Sequence, residues 1–128
     1  SVIFYENIEP VNDHLKLYNE IDIALDTFPY NGVTTSFEAI WMGVPVLTMK
    51  GYNFNSRCGE SINKNIGMEN MVAKDKNDYI NKATELSEDL TKLISIRKKI
   101  FQNATQSPLF DAKNFSKNFF YIIKNLKN

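Results

Sequence analysis

The sequence predicts an α/β domain, a parallel sheet flanked by helices, and three observations carry that expectation. Short apolar runs such as Ile23-Ala24-Leu25 and Pro45-Val46-Leu47-Thr48-Met49 show little polar alternation, as strands buried on both faces do. Segments with helical apolar spacing separate them. The connections are short, and strands joined in this way by helical crossovers build right-handed parallel units.

Taken in order, Val2-Ile3-Phe4-Tyr5 reads as a first strand, followed by a turn at Glu9-Pro10. Asp13 is placed to cap a helix that turns Leu15, Leu17, Tyr18 and Ile21 inward. Ile23-Ala24-Leu25 forms the next strand, closed by Asp26, and Pro29-Tyr30-Asn31-Gly32 is turn chemistry. A helix from Thr35 carries Phe37, Ala39, Ile40, Trp41 and Met42 until Gly43 ends it, and the strand Pro45–Met49 follows. Past Gly51 a shorter helix is expected near 55–65, then a turn at Gly67 and a brief Met71-Val72 segment. Asp75 is placed to cap one long helix over 76–103, with Tyr79, Ala83, Leu86, Leu90, Leu93 and Ile94 on its buried face. Ser107-Pro108 breaks it, and Phe115, Phe119, Ile122, Ile123 and Leu126 mark a final amphipathic helix. That helix packs on the domain's own core, on another lobe, or on a second copy.

With 128 residues, 43% of them hydrophobic, the chain is sized for one domain with a real core. Fifteen basic residues balance fifteen acidic ones, so no global field recruits nucleic acid or an anionic membrane. The apolar stretches fall well short of the roughly 20 residues a membrane helix needs. Cys58 is the sole cysteine, which excludes an internal disulfide and leads us to expect a cytoplasmic location. It reads as a core residue. The chain starts directly in an apolar run without a capping or linker segment, so a fragment or excised domain is expected.

The most informative segment runs from Asp26 to Glu38, between the carboxyl end of a strand and the start of a helix. Open parallel sheets bind ligands at that edge. A helix amino terminus offers unpaired N–H groups and the positive end of the dipole, enough to hold a phosphate without a lysine. Thr34 and Thr35 add hydroxyl donors, and Gly32 permits close backbone approach. Glu38 lies one turn in, where a carboxylate could accept both ribose hydroxyls. Thr35-Ser36-Phe37-Glu38 also satisfies a capping box, and spacing alone favours that role. Asp26 at the strand end fits a turn-fixing role. His14, the only histidine, falls on the same edge, where its ring could touch a base or sugar. Arg57 falls there too, with a salt bridge to Glu60 as the simpler reading. Neither a P-loop nor a dinucleotide glycine pattern is present.

The ordered set Ile21-Asp22-Ile23-Ala24-Leu25-Asp26-Thr27, Asn31-Gly32-Val33-Thr34-Thr35 and Ala39-Ile40-Trp41-Met42-Gly43-Val44-Pro45-Val46-Leu47-Thr48 closely resembles the carboxy-terminal catalytic region of O-linked N-acetylglucosamine transferases and SPINDLY-type proteins. Gly51, Ser56-Arg57, Gly67 and Ser107-Pro108-Leu109-Phe110 extend the resemblance over nearly the whole chain. It implies a Rossmann-like lobe of a two-lobed GT-B glycosyltransferase, with residues 1–128 as the nucleotide-sugar-binding half. By that analogy Thr34 and Thr35 hold the diphosphate, Glu38 binds ribose, and His14 lies against the nucleoside. The implied reaction is transfer of N-acetylglucosamine from UDP-N-acetylglucosamine to Ser or Thr of proteins. No cofactor or metal is expected, because the helix end can stabilise the departing diphosphate. Within the family, a GDP-fucose donor, as in SPINDLY-like members, is the alternative.

Val33 departs from the pattern, since members commonly carry His or Gly beside the phosphates. The family's upstream basic residues, acceptor-binding lobe and tetratricopeptide repeats lie outside the chain, whose catalytic residues are expected in that missing lobe. Alone it is therefore expected to be inert. The reading from another class is a degenerate α/β assembly or protein-interaction module that pairs through its final helix.

Overall fold

In the computed structural model, which describes residues 2–6 and 8–126, three parallel strands form one sheet in the order β1 (Ala24–Leu25), β2 (Val46–Met49), β3 (Val72–Ala73). Ala24 pairs with Val46 and Leu25 with Leu47, while Thr48 pairs with Val72 and Met49 with Ala73. Successive strand residues face opposite sides of a sheet, so the burial of Val46, Leu47 and Thr48 alike means that β2 is covered on both faces. That is why its sequence is a continuous apolar run rather than an alternation.

Among the described residues six α-helices accompany the sheet: α1 (Val11–Lys16), α2 (Thr34–Trp41), α3 (Cys58–Asn65), α4 (Lys76–Glu88), α5 (Leu90–Gln106) and α6 (Ala112–Asn125). α2 ends where Gly43 adopts a φ of 76°, a left-handed conformation that costs glycine little. α2 and α3 are the crossovers from β1 to β2 and from β2 to β3, so right-handedness puts both on one face. α4 is capped by Asp75, as its sequence predicts, and packs against β2 and β3. Tyr79 on α4 donates to the Asp26 carbonyl oxygen at 2.9 Å, linking it to the end of β1.

α5 runs along the amino-terminal edge of the strands. Arg97 Nη1 donates to the carbonyl of Ile21 at 2.6 Å, just before β1, and Asn103 Nδ2 donates to that of Ile66 at 3.1 Å, between α3 and β3. Ile100 and Ala104 on the same helix are fully buried beside Ile40, Val44, Leu47 and Met71. With this edge closed, the carboxyl edge is the one left for a ligand. Among the described residues no helix is long and apolar enough to cross a membrane.

Several expectations need correction. Val2–Tyr5 is not a strand: it has no sheet partner among the described residues, and Phe4 is 91% exposed. β1 therefore stands at the edge of the sheet, paired among the described residues with β2 alone. α1 starts at Val11 after Pro10, which puts Asp13 inside the first turn, paired with Lys16 Nζ at 2.6 Å, rather than at the cap. The long helix expected over 76–103 is two helices. Asp89 (φ −104°, ψ 79°) leaves helical geometry and its side chain accepts from Lys92 N, capping α5. Cys58 is only half-buried, its sulfur 3.3 Å from the Phe54 carbonyl, so it is not a core residue. α6 buries none of its residues, which leaves packing on the domain's own core unsupported.

Candidate functional site

The loop from β1 to α2 is fixed from below by Asp26. One carboxylate oxygen accepts from Gly32 N at 2.8 Å, and the other accepts from the Thr48 hydroxyl on β2 at 2.6 Å. Burial pushes the Asp26 carboxyl above its usual range, opposed by the hydrogen bonds from Thr48, Gly32 and Thr27. The turn-fixing role expected for Asp26 is the one it performs. Asn31, 2% exposed, holds the other side: Nδ2 donates to Thr27 O at 2.8 Å, and Oδ1 accepts from Gly59 N at 3.2 Å. The Asn31-Gly32 pair read as an ordinary turn dipeptide is thus a buried brace between the loop and α3. A Cβ on Gly32 would meet the Thr35 hydroxyl, so a side chain there would force Thr35 to move.

α2 emerges from this loop at Thr34, one residue earlier than its sequence suggests, with Val33 in the flanking position and no side-chain cap. The first amide bonded back into the turn is Phe37 N, to Val33 O at 3.0 Å. The amides of Thr34, Thr35 and Ser36 therefore belong to the open helix end. Thr34 and Thr35 are exposed there, and Ser36 is buried with its hydroxyl donating to Gly32 O at 2.9 Å.

Glu38 does not close a capping box. With the helix starting at Thr34, Thr35 sits inside the first turn, and the Glu38 carboxylate turns toward α1. Its Oε2 accepts from the Tyr18 hydroxyl at 3.1 Å and lies 3.3 Å from His14 Nε2. Tyr18 also lies 3.4 Å from Thr35 O and packs edge-on against His14, with ring centroids 5.9 Å apart. Burial, reinforced by the hydrogen bond and negative charge of Glu38, pushes the Tyr18 phenol up to about 12, so it remains a donor at neutral pH. The five residues singled out in the sequence thus gather on one edge: Glu38 touches His14 directly, Thr35 is joined to them through Tyr18, and Gly32 and Thr34 frame the helix end. Tyr18 was legible only as an inward-facing helix residue, although its position four residues after His14 puts both on one helical face.

Beneath these residues a cleft of about 170 Å³ is lined by Tyr18, Leu25, Asp26, Gly32, Thr35 and Ser36. Arg57 is not part of it. Its Nε donates to Glu60 Oε2 at 2.8 Å, as the simpler reading of that residue held.

The chain matches the model of glycosyl transferase family 41 over residues 1–119. It is 38% identical over 115 residues to the probable UDP-N-acetylglucosamine–peptide N-acetylglucosaminyltransferase SPINDLY of Solanum lycopersicum, covering 90% of this chain and 12% of that protein. The UDP-N-acetylglucosamine–peptide N-acetylglucosaminyltransferase of Caenorhabditis elegans is 32% identical over 115 residues, covering 90% of this chain and 10% of the relative. A solved structure of a mutant O-GlcNAc transferase of Thermobaculum terrenum superposes with a TM-score of 0.84 at 35% identity, covering 91% of this chain and 22% of the other. The chain spans about one-eighth of the length of the SPINDLY relative and less than a quarter of the solved structure.

Proposed function

The chain belongs to glycosyl transferase family 41, and from that premise we propose that residues 1–128 form the donor-nucleotide-binding half of a protein O-glycosyltransferase. One observation carries the reading: an eight-residue helix opens at the carboxyl edge of a parallel sheet with no side chain capping it and two exposed threonines on its first turn. That end would hold the diphosphate of a nucleotide sugar, through backbone N–H groups, the Thr34 and Thr35 hydroxyls and the helix dipole. Glu38, aligned by Tyr18, would take the ribose hydroxyls, with His14 beside the nucleoside. The same dipole would stabilise the leaving diphosphate without a metal.

The names of the relatives support UDP-N-acetylglucosamine as donor and a protein as acceptor. The cleft is smaller than the roughly 300–1,000 Å³ typical of ligand sites, in line with a site completed by another lobe. We therefore read the chain alone as a binder that does not turn over. A degenerate assembly module is the second reading, and the uncovered α6 is the observation that favours it.

The test is isothermal titration of the chain with uridine and guanosine diphosphates and their monophosphates. Uridine diphosphate should bind more tightly than the monophosphate. Thr34→Val/Thr35→Val should weaken it by at least about tenfold, since each hydroxyl bond to a charged group contributes about 1.5–3 kcal/mol. No binding of any nucleotide at millimolar concentration would leave the assembly module as the reading.

A further inference from the structure

A second cavity, larger than the cleft at the helix end, lies on the α2–α3 side of the sheet. α2 and α3 lie side by side on one face of the sheet, and between them runs an open groove of about 750 Å³. Phe37 lines it from α2 and Val33 from the residue before that helix, Lys64 from α3, and Leu109 from the turn before α6. Phe54 and Arg57 line it from the segment between β2 and α3. Val33 precedes α2, and Phe54 and Arg57 follow β2, so the groove opens onto the same carboxyl edge as Thr34.

Its charge is unlike that of the chain as a whole. Glu60, on α3, is the one acid in the lining, and its side chain is 4% exposed. Arg57 Nε and Lys64 Nζ each lie 2.8 Å from its carboxylate, and Lys50 Nζ lies 3.8 Å away. One buried carboxylate thus gathers three cations, each about half-exposed; Arg57 and Lys64 line the groove and leave it a surplus of one positive charge, and Lys50 adds a further positive charge from just outside the lining, in a protein of zero net charge. Among the described residues the terminal guanidinium nitrogens of Arg57 donate to nothing, since only Nε is engaged. That leaves a planar fork held in place and suited to a carboxylate. Because Glu60 already orders the side chains, little rotamer freedom is left to lose on binding.

We propose that this groove binds an acidic peptide segment. A side-chain carboxylate of the segment meets Arg57 and Lys64, and a neighbouring apolar side chain lies against Phe37 and Leu109. A free anion would leave the aromatic wall unused, and one surplus charge in the lining makes no track for a polyanion. α6 of a second copy is the wrong occupant, because Lys113, Lys117 and Lys124 are its only charged residues. That the segment belongs to the acceptor protein rests on the donor reading above; the binding itself does not.

The experiment is fluorescence anisotropy of the chain, without nucleotide, with labelled Ser-Phe-Glu-Asp-Leu-Glu-Ser and its amide analogue Ser-Phe-Gln-Asn-Leu-Gln-Ser. The acidic peptide should bind at least about tenfold more tightly at low salt, and the gap should narrow as salt rises. Lys50→Glu, which reverses a half-exposed charge 3.8 Å from the Glu60 carboxylate, should reduce that preference by about threefold to tenfold and lower the melting temperature slightly, with circular dichroism checking that the variant stays folded. Phe54→Ser should weaken both peptides. Equal binding of the two peptides, no binding of either, or an undiminished preference in folded Lys50→Glu would overturn the proposal. Parallel titration with uridine diphosphate separates the two readings: nucleotide binding without peptide selectivity refutes the groove alone, and the converse refutes the donor site alone.

Discussion

Replacing Glu60 by Gln keeps the shape of the side chain and removes the charge around which Lys50, Arg57 and Lys64 gather. The hydrogen bonds from Arg57 and Lys64 hold the Glu60 carboxyl down at about 2, from an ordinary 4.5, against the opposing effect of its burial. A displacement of about 2.5 in pKa corresponds to about 3.4 kcal/mol if fully expressed. The cations are half-exposed and solvent screens them, so about 1–2 kcal/mol is the expected contribution. The folded-state pKa lies below the unfolded one, so this stabilisation is complete above pH 4.5 and is lost as pH falls through about 2. Urea unfolding followed by the single tryptophan, Trp41, which packs against Phe101 and Phe110, gives the assay. Wild type should exceed Glu60→Gln by about 1–2 kcal/mol at pH 7, and the two should converge near pH 2. A gap that stays constant with pH, or no gap at neutral pH, would refute the reasoning.

Gly59→Ala should be severe, because a Cβ there would overlap the Thr48 hydroxyl and come within 2.5 Å of Asp26 Oδ2. Overpacking together with loss of the Thr48–Asp26 hydrogen bond should cost about 2–4 kcal/mol in urea unfolding, and a loss under about 1 kcal/mol would show that the α3–β2 contact is looser than described. Tyr18→Phe removes the donor to Glu38 and should lower stability by about 1 kcal/mol at pH 7. An unchanged unfolding midpoint would mean that Glu38 finds an equivalent partner in water or His14.

The sheet and its crossovers were legible because β2 is buried on both faces, which writes an unbroken apolar run, and because Gly43 and Asp75 punctuate the neighbouring helices. The break at Asp89 was not. Leu86, Leu90 and Leu93 keep helical spacing straight through it, and the break comes from a side chain capping the next helix. Apolar spacing likewise marks one face of α6 without telling whether anything covers it. At the candidate site, the placement of Thr34 and Thr35 follows from the order strand, turn, helix. Glu38 stayed ambiguous because a cap and a long-range partner require the same position on the helix. The choice was made by His14 and Tyr18, which are at least 20 residues away in sequence and invisible to any local pattern. Asn31 was read as turn chemistry for the same reason: its partner at Gly59 is 28 residues on.

The placement of α5 has a consequence for how the protein is made. A chain growing on the ribosome reaches β3 while the bottoms of its strands still lack the cover that Ile100 and Ala104 supply, and while the carbonyls of Ile21 and Ile66 still lack Arg97 and Asn103. Domains close as units once their last contributing residues emerge. The nascent sheet therefore carries bare apolar surface until α5 has left the exit tunnel. A product cut short before Ile100 would keep all three strands and the loop between β1 and α2, and would be a client for chaperones rather than a smaller folded domain.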